Sequence, residues 1–329
     1  MSKNQIELSI IVPVYNVEMY VKECLQSLVN QTLDKDNYEI IIVNDGSKDK
    51  SLEICKEFEE KYDYVKLISQ ENKGLGAARN LGIKNSRGMY IGFVDSDDYV
   101  REDMFEKLLN CAKKDDVDMV ICNTARYLEK DKKIVNFPTG LEENKIYNNE
   151  ELIETYLSGK IVSMAWNKIY KRHLFDDISF DEGIYYEDIY PAYKLIEKSK
   201  TAKKIDDYLY IYRIREGNIT SSFDDKKIKD LNSVILRVDK DYKKKSNFNR
   251  KLLDAFDISY LQLSLDLYIK NMNYSYKKIY KNFNNYYKEY NIPNLISIIF
   301  NKYMKRIMKL KYILFKLRIL PLIKKIRSR

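Results

Sequence analysis

Three carboxylates fall within four residues at Asp95-Ser96-Asp97-Asp98, directly after the apolar run Met89-Tyr90-Ile91-Gly92-Phe93-Val94. Like charges this close repel unless water, a cation or basic side chains offset them. An oxygen-rich set at the end of a strand suits Mg²⁺ or Mn²⁺, which keep waters and complete their shells with substrate phosphates. A second acidic pair, Glu187-Asp188, stands before a helical stretch over 189–198 and offers a carboxylate for proton transfer. Asp188 equally suits an N-cap with Pro191 in the first turn. The single histidine, His173, lies inside Lys171-Arg172-His173, which leaves histidine triads and histidine metal cages without material.

Two glycine-containing segments sit between these acids. Gly74-Leu75-Gly76-Ala77-Ala78-Arg79 follows a strand pattern and opens a helix, as the dinucleotide fingerprint does, with Arg79 in place of its third glycine. Its glycines permit close backbone approach, and Lys73 and Arg79 supply cations for a phosphate. The plainer alternative is a glycine-rich helix start with an exposed arginine. Asn44-Asp45-Gly46-Ser47 reads as a tight turn and helix cap, which is also where a ligand-facing carboxylate belongs.

The elements that position these residues follow from periodicity. Continuous apolar runs predict strands over 8–14, 39–43, 65–69, 89–94 and 117–122. Helical spacing predicts helices over 18–29, from Ser47, over 74–86 and over 101–114. Fully apolar strands separated by helices predict an α/β fold with a parallel sheet covered on both faces. Ligands of such sheets bind beyond the carboxyl ends of the strands. That rule brings Pro13-Val14-Tyr15-Asn16, Asn44–Ser47 and Asp95–Asp98 to one edge. From 125 to 223 the pattern is mixed, with 165–170 and 209–213 as short segments packed on the core. Beyond 224 it is helical, broken at Asn291-Ile292-Pro293-Asn294.

The chain has 329 residues and a formal net charge of +9. From Lys302 to Arg329 there are 11 Lys and Arg and no acid, so the remainder carries 47 basic against 49 acidic residues. A nearly neutral body argues against nucleic acid as a partner. In the tail, Lys302, Lys305, Arg306, Lys309 and Lys316 share a helical face. Ile299, Tyr303, Ile307, Leu310, Leu314 and Leu317 lie mainly on another, the pattern of an interfacial helix on an anionic membrane surface. Packing on the body is one alternative; a basic dimer contact, making a homo-oligomer, is the other. Four cysteines without C-x-x-C spacing suggest neither zinc nor disulfides. No signal-peptide core and no run of spanning length are seen, so a cytoplasmic location is expected, peripheral at the inner face of the membrane.

The segments Ile10–Asn16, Ile42–Ser47, Asn72–Asn80 and Phe93–Asp98, in this order, resemble the inverting nucleotide-sugar glycosyltransferases of family 2. The resemblance covers roughly residues 8 to 125. It continues through Ala165-Trp166-Asn167-Lys168 and Tyr186-Glu187-Asp188, a pattern of relatives that build bacterial surface polysaccharides. It implies the GT-A fold, a Rossmann-like, mostly parallel sheet flanked by helices with a helical C-terminal extension. Residues 1–125 would then be the nucleotide-sugar half, 126–223 the acceptor half, and 224–329 a helical region with the basic tail. By the same resemblance Tyr15 and Asp45 hold the nucleobase, with Pro13 and Ser96 in the nucleotide-sugar set. Asp97 ligates the metal, with Asp95 nearer the ribose or the metal's waters, and Asp188 is the base with Glu187 in reserve. Asp98 is as consistent with the N-terminal charge of the next helix. Trp166 is either an acceptor platform or a core ring.

The implied reaction moves a hexosyl or N-acetylhexosaminyl group from a UDP-sugar to a glycan or lipid-linked acceptor, with Mg²⁺ or Mn²⁺. A nucleotidyltransferase would share the strand-end acids but release pyrophosphate. A non-catalytic nucleotide-sugar-binding protein at a membrane surface would keep the first half without a working base.

Overall fold

The computed structural model describes residues 5–215, 225–270 and 295–317. The chain divides into two compact units, Met1–Ile153 with Ile161–Glu216, and Glu154–Lys160 with Gly217–Arg329.

In the first unit β1 (Leu8–Val14), β2 (Tyr38–Asn44), β3 (Val65–Ser69) and β4 (Tyr90–Phe93) alternate with α1 (Val21–Val29), α2 (Ser51–Lys61) and α3 (Leu75–Asn85). There follow β5 (Tyr99–Val100), α4 (Met104–Asp115), β6 (Met119–Leu128), β7 (Lys133–Phe137) and β8 (Ile146–Asn148). Then come α5 (Asn149–Leu157), whose residues from Glu154 on are counted with the second unit, β9 (Lys168–Lys171), α6 (Ile189–Lys198) and β10 (Thr201–Ile214). The strands form one sheet in the order β3-β2-β1-β4-β9-β6-β10-β5, with β7 on β6 and β8 on β10. β1 pairs parallel with β2 and β4, β2 with β3, and β6 with β10. The antiparallel β9 joins β4 to β6. Thus β1, β2, β3, β4, β6 and β10 share one direction, and the sheet is mostly parallel.

All of β1 and β2 is buried, as strands covered on both faces must be. Helix α1 turns Val21, Cys24, Leu25 and Leu28 inward, and α4 turns Met104, Phe105, Leu108, Leu109 and Ala112 inward, one apolar stripe per helix. Helix α2 starts at Ser51, not at Ser47. The intervening residues are held as a turn in which Asn44 Oδ1 accepts from Ser47 N and Asp49 Oδ1 from Ser51 N. The stretch expected as short packed segments is the second half of the sheet. Lys203, Lys204, Asp206 and Asp207 interrupt its apolar pattern, and the β6–β10 register shifts between Lys204 and Tyr210. Strand β10 therefore does not advertise itself by alternation.

The second unit holds α7 (Asp225–Tyr242), α8 (Arg250–Lys270), α9 (Leu295–Ile299) and α10 (Arg306–Lys316). Ala255 and Ile258 of α8 pack with Ile298, Met304 and Tyr312. The break expected at 291–294 and the tail beyond 317 lie outside the described residues. A further break falls at Asn301, whose Nδ2 donates to Lys251 O (2.7 Å) and whose Oδ1 accepts from Tyr303 N (3.0 Å). Tail residues thus divide between two faces: Tyr312 and Phe315 are buried, whereas Ile307, Leu310 and Leu317 point outward. Among the described residues no helix is long and apolar enough to cross a membrane.

Candidate active site

The Asp95–Asp98 turn begins where β4 ends, and its shape is set by β10. Asp98 is 1% exposed. Its Oδ2 accepts from Tyr210 Oη at 2.7 Å and its Oδ1 from Arg213 N at 2.8 Å. Tyr210 Oη in turn accepts from Asp95 N at 3.1 Å. Burial, then the charges of Asp97 and Asp95, push the Asp98 carboxyl well above the usual range. Asp98 is therefore not the opening acid of a helix, since α4 begins only at Met104; it is the post on which the turn is folded. Arg213 donates from Nε to Asp97 O at 3.0 Å, and its guanidinium lies 5.2–5.4 Å from the rings of Tyr20, Tyr99 and Tyr127. Arg215 donates to Asp97 Oδ2 from Nη2 at 2.9 Å and from Nε at 3.2 Å. Sequence reasoning missed Tyr210, Arg213 and Arg215. The available signal was two arginines spaced by two at the end of an apolar run, which places them on one strand face.

A second set of contacts ties α3 to the segment carrying Glu187 and Asp188. Gly76, Arg79 and Asn80 are spaced i, i+3, i+4 and share a helix face. A Cβ on Gly76 would meet Asp181 O at 1.9 Å, so only glycine lets the segment lie this close. Asn80 accepts from Phe180 N at 2.8 Å and donates to Phe180 O at 3.0 Å. Arg79 is 2% exposed and bridges Asp95 Oδ1 (2.9 Å) to Glu187 Oε1 (2.6 Å), with its guanidinium 5.2 Å from the Phe180 ring centre. The guanidinium, for which a phosphate contact is expected, is here enclosed between two carboxylates. The bridge joins positions 108 residues apart, making one site of the acidic turn and the second acidic pair.

Asp188 occupies the N-cap position of α6, but its side chain makes no capping hydrogen bond. Burial first, and the negative charge of Glu187 next, push its carboxyl up to about 7, against the pull of Arg79. The preceding Tyr186 has φ of +60°, a strained conformation for a bulky residue and one that sets the direction of the acidic pair.

At the other strand ends Tyr15 is 46% exposed. Pro13 is buried in β1 and Ser96 is buried in the acidic turn. Asp45 is buried: Oδ1 accepts from Gln70 Nε2 (2.7 Å) and Lys73 N (2.9 Å), and Oδ2 from Gly74 N (2.9 Å). It fixes the loop ahead of α3, and the Lys73 side chain is exposed. Asn16 laces the first two strand ends, its N donating to Ser47 Oγ and its Oδ1 accepting from Lys48 N. Trp166 is 5% exposed and stacks on Tyr210 at 4.4 Å and Tyr212 at 5.6 Å, packed as a core ring. Lys168 is buried, donating to Met164 O and Asn167 Oδ1, and burial lowers its ammonium to about 7.

Among the described residues no three His, Cys, Asp or Glu side chains converge as a metal cage. Mg²⁺ and Mn²⁺ do not require one, since one or two carboxylates and substrate phosphates suffice. Asp95 and Asp97, each about a quarter exposed at a strand end, fit that shared kind of site.

The family model described as "Glycosyl transferase family 2" matches residues 9–179. "Glycosyltransferase GlyA" of Streptococcus pneumoniae serotype 4 is 39% identical over 226 residues, which cover 67% of this chain and 32% of that protein. The match thus spans about a third of the relative's length. The structure of Staphylococcus aureus TarS 1–349 in complex with UDP-GlcNAc superposes with a TM-score of 0.69 at 19% identity, covering 96% of this chain and 89% of that one. Mannosyltransferase PcManGT from Pyrobaculum calidifontis, in complex with GDP-Man and Mn²⁺, superposes with a TM-score of 0.57 at 14% identity over 80% of this chain and 73% of that one. These likenesses show the fold, GT-A.

Proposed function

The chain belongs to glycosyltransferase family 2, and from that premise we propose that it transfers a sugar from a UDP-sugar to a hydroxyl of a glycan or lipid-linked acceptor, with inversion, in surface polysaccharide synthesis. The observation that carries this reading is the Arg79 bridge, which holds the strand-end acids and the acidic pair of 187–188 in one site. UDP as the nucleotide is supported by the UDP-GlcNAc complex of TarS. Tyr15, exposed at the end of β1, and Asp45, at the end of β2, hold the base.

Asp188 accepts the proton of the acceptor hydroxyl. Its raised carboxyl matches a base working near neutrality, and Glu187 is less suited because it is paired with Arg79. The acceptor oxygen bonds to the anomeric carbon as the bond to the UDP oxygen breaks on the opposite face, and the electron pair leaves with UDP. Asp97, supported by Asp95, holds a divalent ion, Mg²⁺ or Mn²⁺. When bound, it supplies Lewis-acid neutralisation of the leaving diphosphate.

The test is UDP release across a panel of UDP-sugars and glycan acceptors, with and without EDTA. Expected is UDP release that EDTA stops, and an Asp188→Asn variant slowed about 10²–10⁴-fold, the usual worth of a general base, with UDP affinity unchanged. Pyrophosphate release points instead to a nucleotidyltransferase, and release of neither product to a non-catalytic binder. Full turnover by D188N moves the base to Glu187.

The partner of residues 295–317 is an anionic membrane surface. That stretch exposes Ile296, Ile299, Phe300, Ile307, Leu310 and Leu317, and it contains six Lys and Arg and no acid. Exposed apolar area with positive charge complements the anionic inner leaflet, where the acceptor lipid would be presented.

A further inference from the structure

The Asp97 carboxylate is already engaged by a cation of the chain itself. Arg215 places two donors, Nη2 at 2.9 Å and Nε at 3.2 Å, on the single oxygen Oδ2. Two arginines reach the acidic turn from the end of β10, and they differ in kind. Arg213 is 6% exposed, bonded to Asp97 O and Glu23 Oε2 and enclosed by three tyrosine rings. Arg215, the first residue past β10, is 18% exposed and pairs with an Asp97 that is 27% exposed. Its guanidinium lies 4.7 Å from the Tyr20 ring centre. Of the two, Arg213 is the more deeply enclosed and Arg215 lies nearer the surface.

A guanidinium 2.9 Å from Oδ2 and a divalent cation about 2.1 Å from either oxygen of the same carboxylate are two positive charges held close together, so each weakens the other's hold on Asp97. A diphosphate offers that guanidinium an equally good planar, bidentate partner. We infer that Arg215 is an exchangeable counter-ion: it holds Asp97 in the free protein, gives the carboxylate up to the metal, and passes to the diphosphate of the incoming nucleotide. The inference rests on the reading of Asp97 as the residue that holds the metal. It makes metal and nucleotide binding mutually dependent, because each removes the competitor that opposes the other. Such coupling is reciprocal by thermodynamic necessity.

The experiment is titration of the full chain with Mn²⁺ alone and with Mn²⁺ plus saturating UDP, read by the electron paramagnetic resonance of free Mn²⁺, for wild type, Arg215→Gln and Asp97→Asn. Wild type should bind Mn²⁺ weakly alone and much more tightly with UDP. R215Q should bind Mn²⁺ alone about tenfold more tightly, within the usual size of a coupling between sites, and should lose most of the UDP enhancement. R215Q indistinguishable from wild type, while D97N loses Mn²⁺, overturns the exchange and leaves the metal reading standing. D97N binding Mn²⁺ as wild type does overturns the metal reading itself. These readouts do not depend on turnover or on the acceptor.

Discussion

Asp188 is the residue whose protonation decides the proposed chemistry, and its environment makes a two-sided prediction. Burial and Glu187 raise its carboxyl to about 7, so kcat/KM should rise with pH through neutrality and level off above it. The basic-going limb should vanish in D188N; a rise in that variant's residual rate with the same midpoint assigns the titration to another group. Stability runs the other way. An acid with a raised folded pKa binds its proton more tightly when folded, so its contribution is present at low pH and fades between about 4, the unfolded value, and about 7. D188N should therefore melt above wild type at pH 8 and level with it at pH 4, as scanning calorimetry would show. A catalytic charge kept where the fold resists it is a common source of such a trade between activity and stability.

At the scale of elements, α3 is a clamp. Its Gly76, Arg79 and Asn80 face holds the 180–188 segment by close approach, an ion pair and three Asn80 hydrogen bonds. Gly76→Ala should force the segment away, lowering kcat at least tenfold and stability by about 1–3 kcal/mol. UDP affinity, set at other strand ends, should stay within about twofold; a variant with wild-type kcat would show the clamp to be dispensable. The same element shows what sequence could and could not convey. β1, β2 and β4 were legible because strands buried on both faces are continuous apolar runs, and the acids and turns after them follow from that. The glycine motif was legible as a motif but not in its purpose, because Arg79's partner Glu187 stands 108 positions away and no local pattern encodes the pair. Trp166 was ambiguous for a like reason: its stacking partners Tyr210 and Tyr212 stand on a strand far along the chain.

At the scale of the molecule, the basic excess of the chain resides in its last third, and the described part of that region sorts its residues between inside and outside. Tyr312 and Phe315 anchor it, while Ile307, Leu310 and Leu317 remain on the surface beside the exposed Lys302, Lys305 and Arg306. The full chain should co-sediment with vesicles containing phosphatidylglycerol and not with pure phosphatidylcholine, and the binding should weaken as salt shortens the screening length. Each basic residue near an anionic surface is worth roughly fivefold in partitioning, so K302E/K305E/R306E should lower binding at least tenfold. Equal sedimentation of wild type and variant removes the membrane reading. A dimer in light scattering that the same variant dissolves makes this face a contact between copies.

The post that shapes the acidic turn has a consequence in time as well as in space. Asp98 is held by donors 112 and 115 residues further along the chain, on the last strand of the first unit. A nascent chain that has delivered β1 to β4 can begin pairing those strands, yet its acids stay ungathered until Tyr210 and Arg213 emerge. Contacts of such separation form late. Synthesis thus lays down the first four strands early and gathers their acids only with the last, so an unfinished chain does not carry the assembled acidic turn.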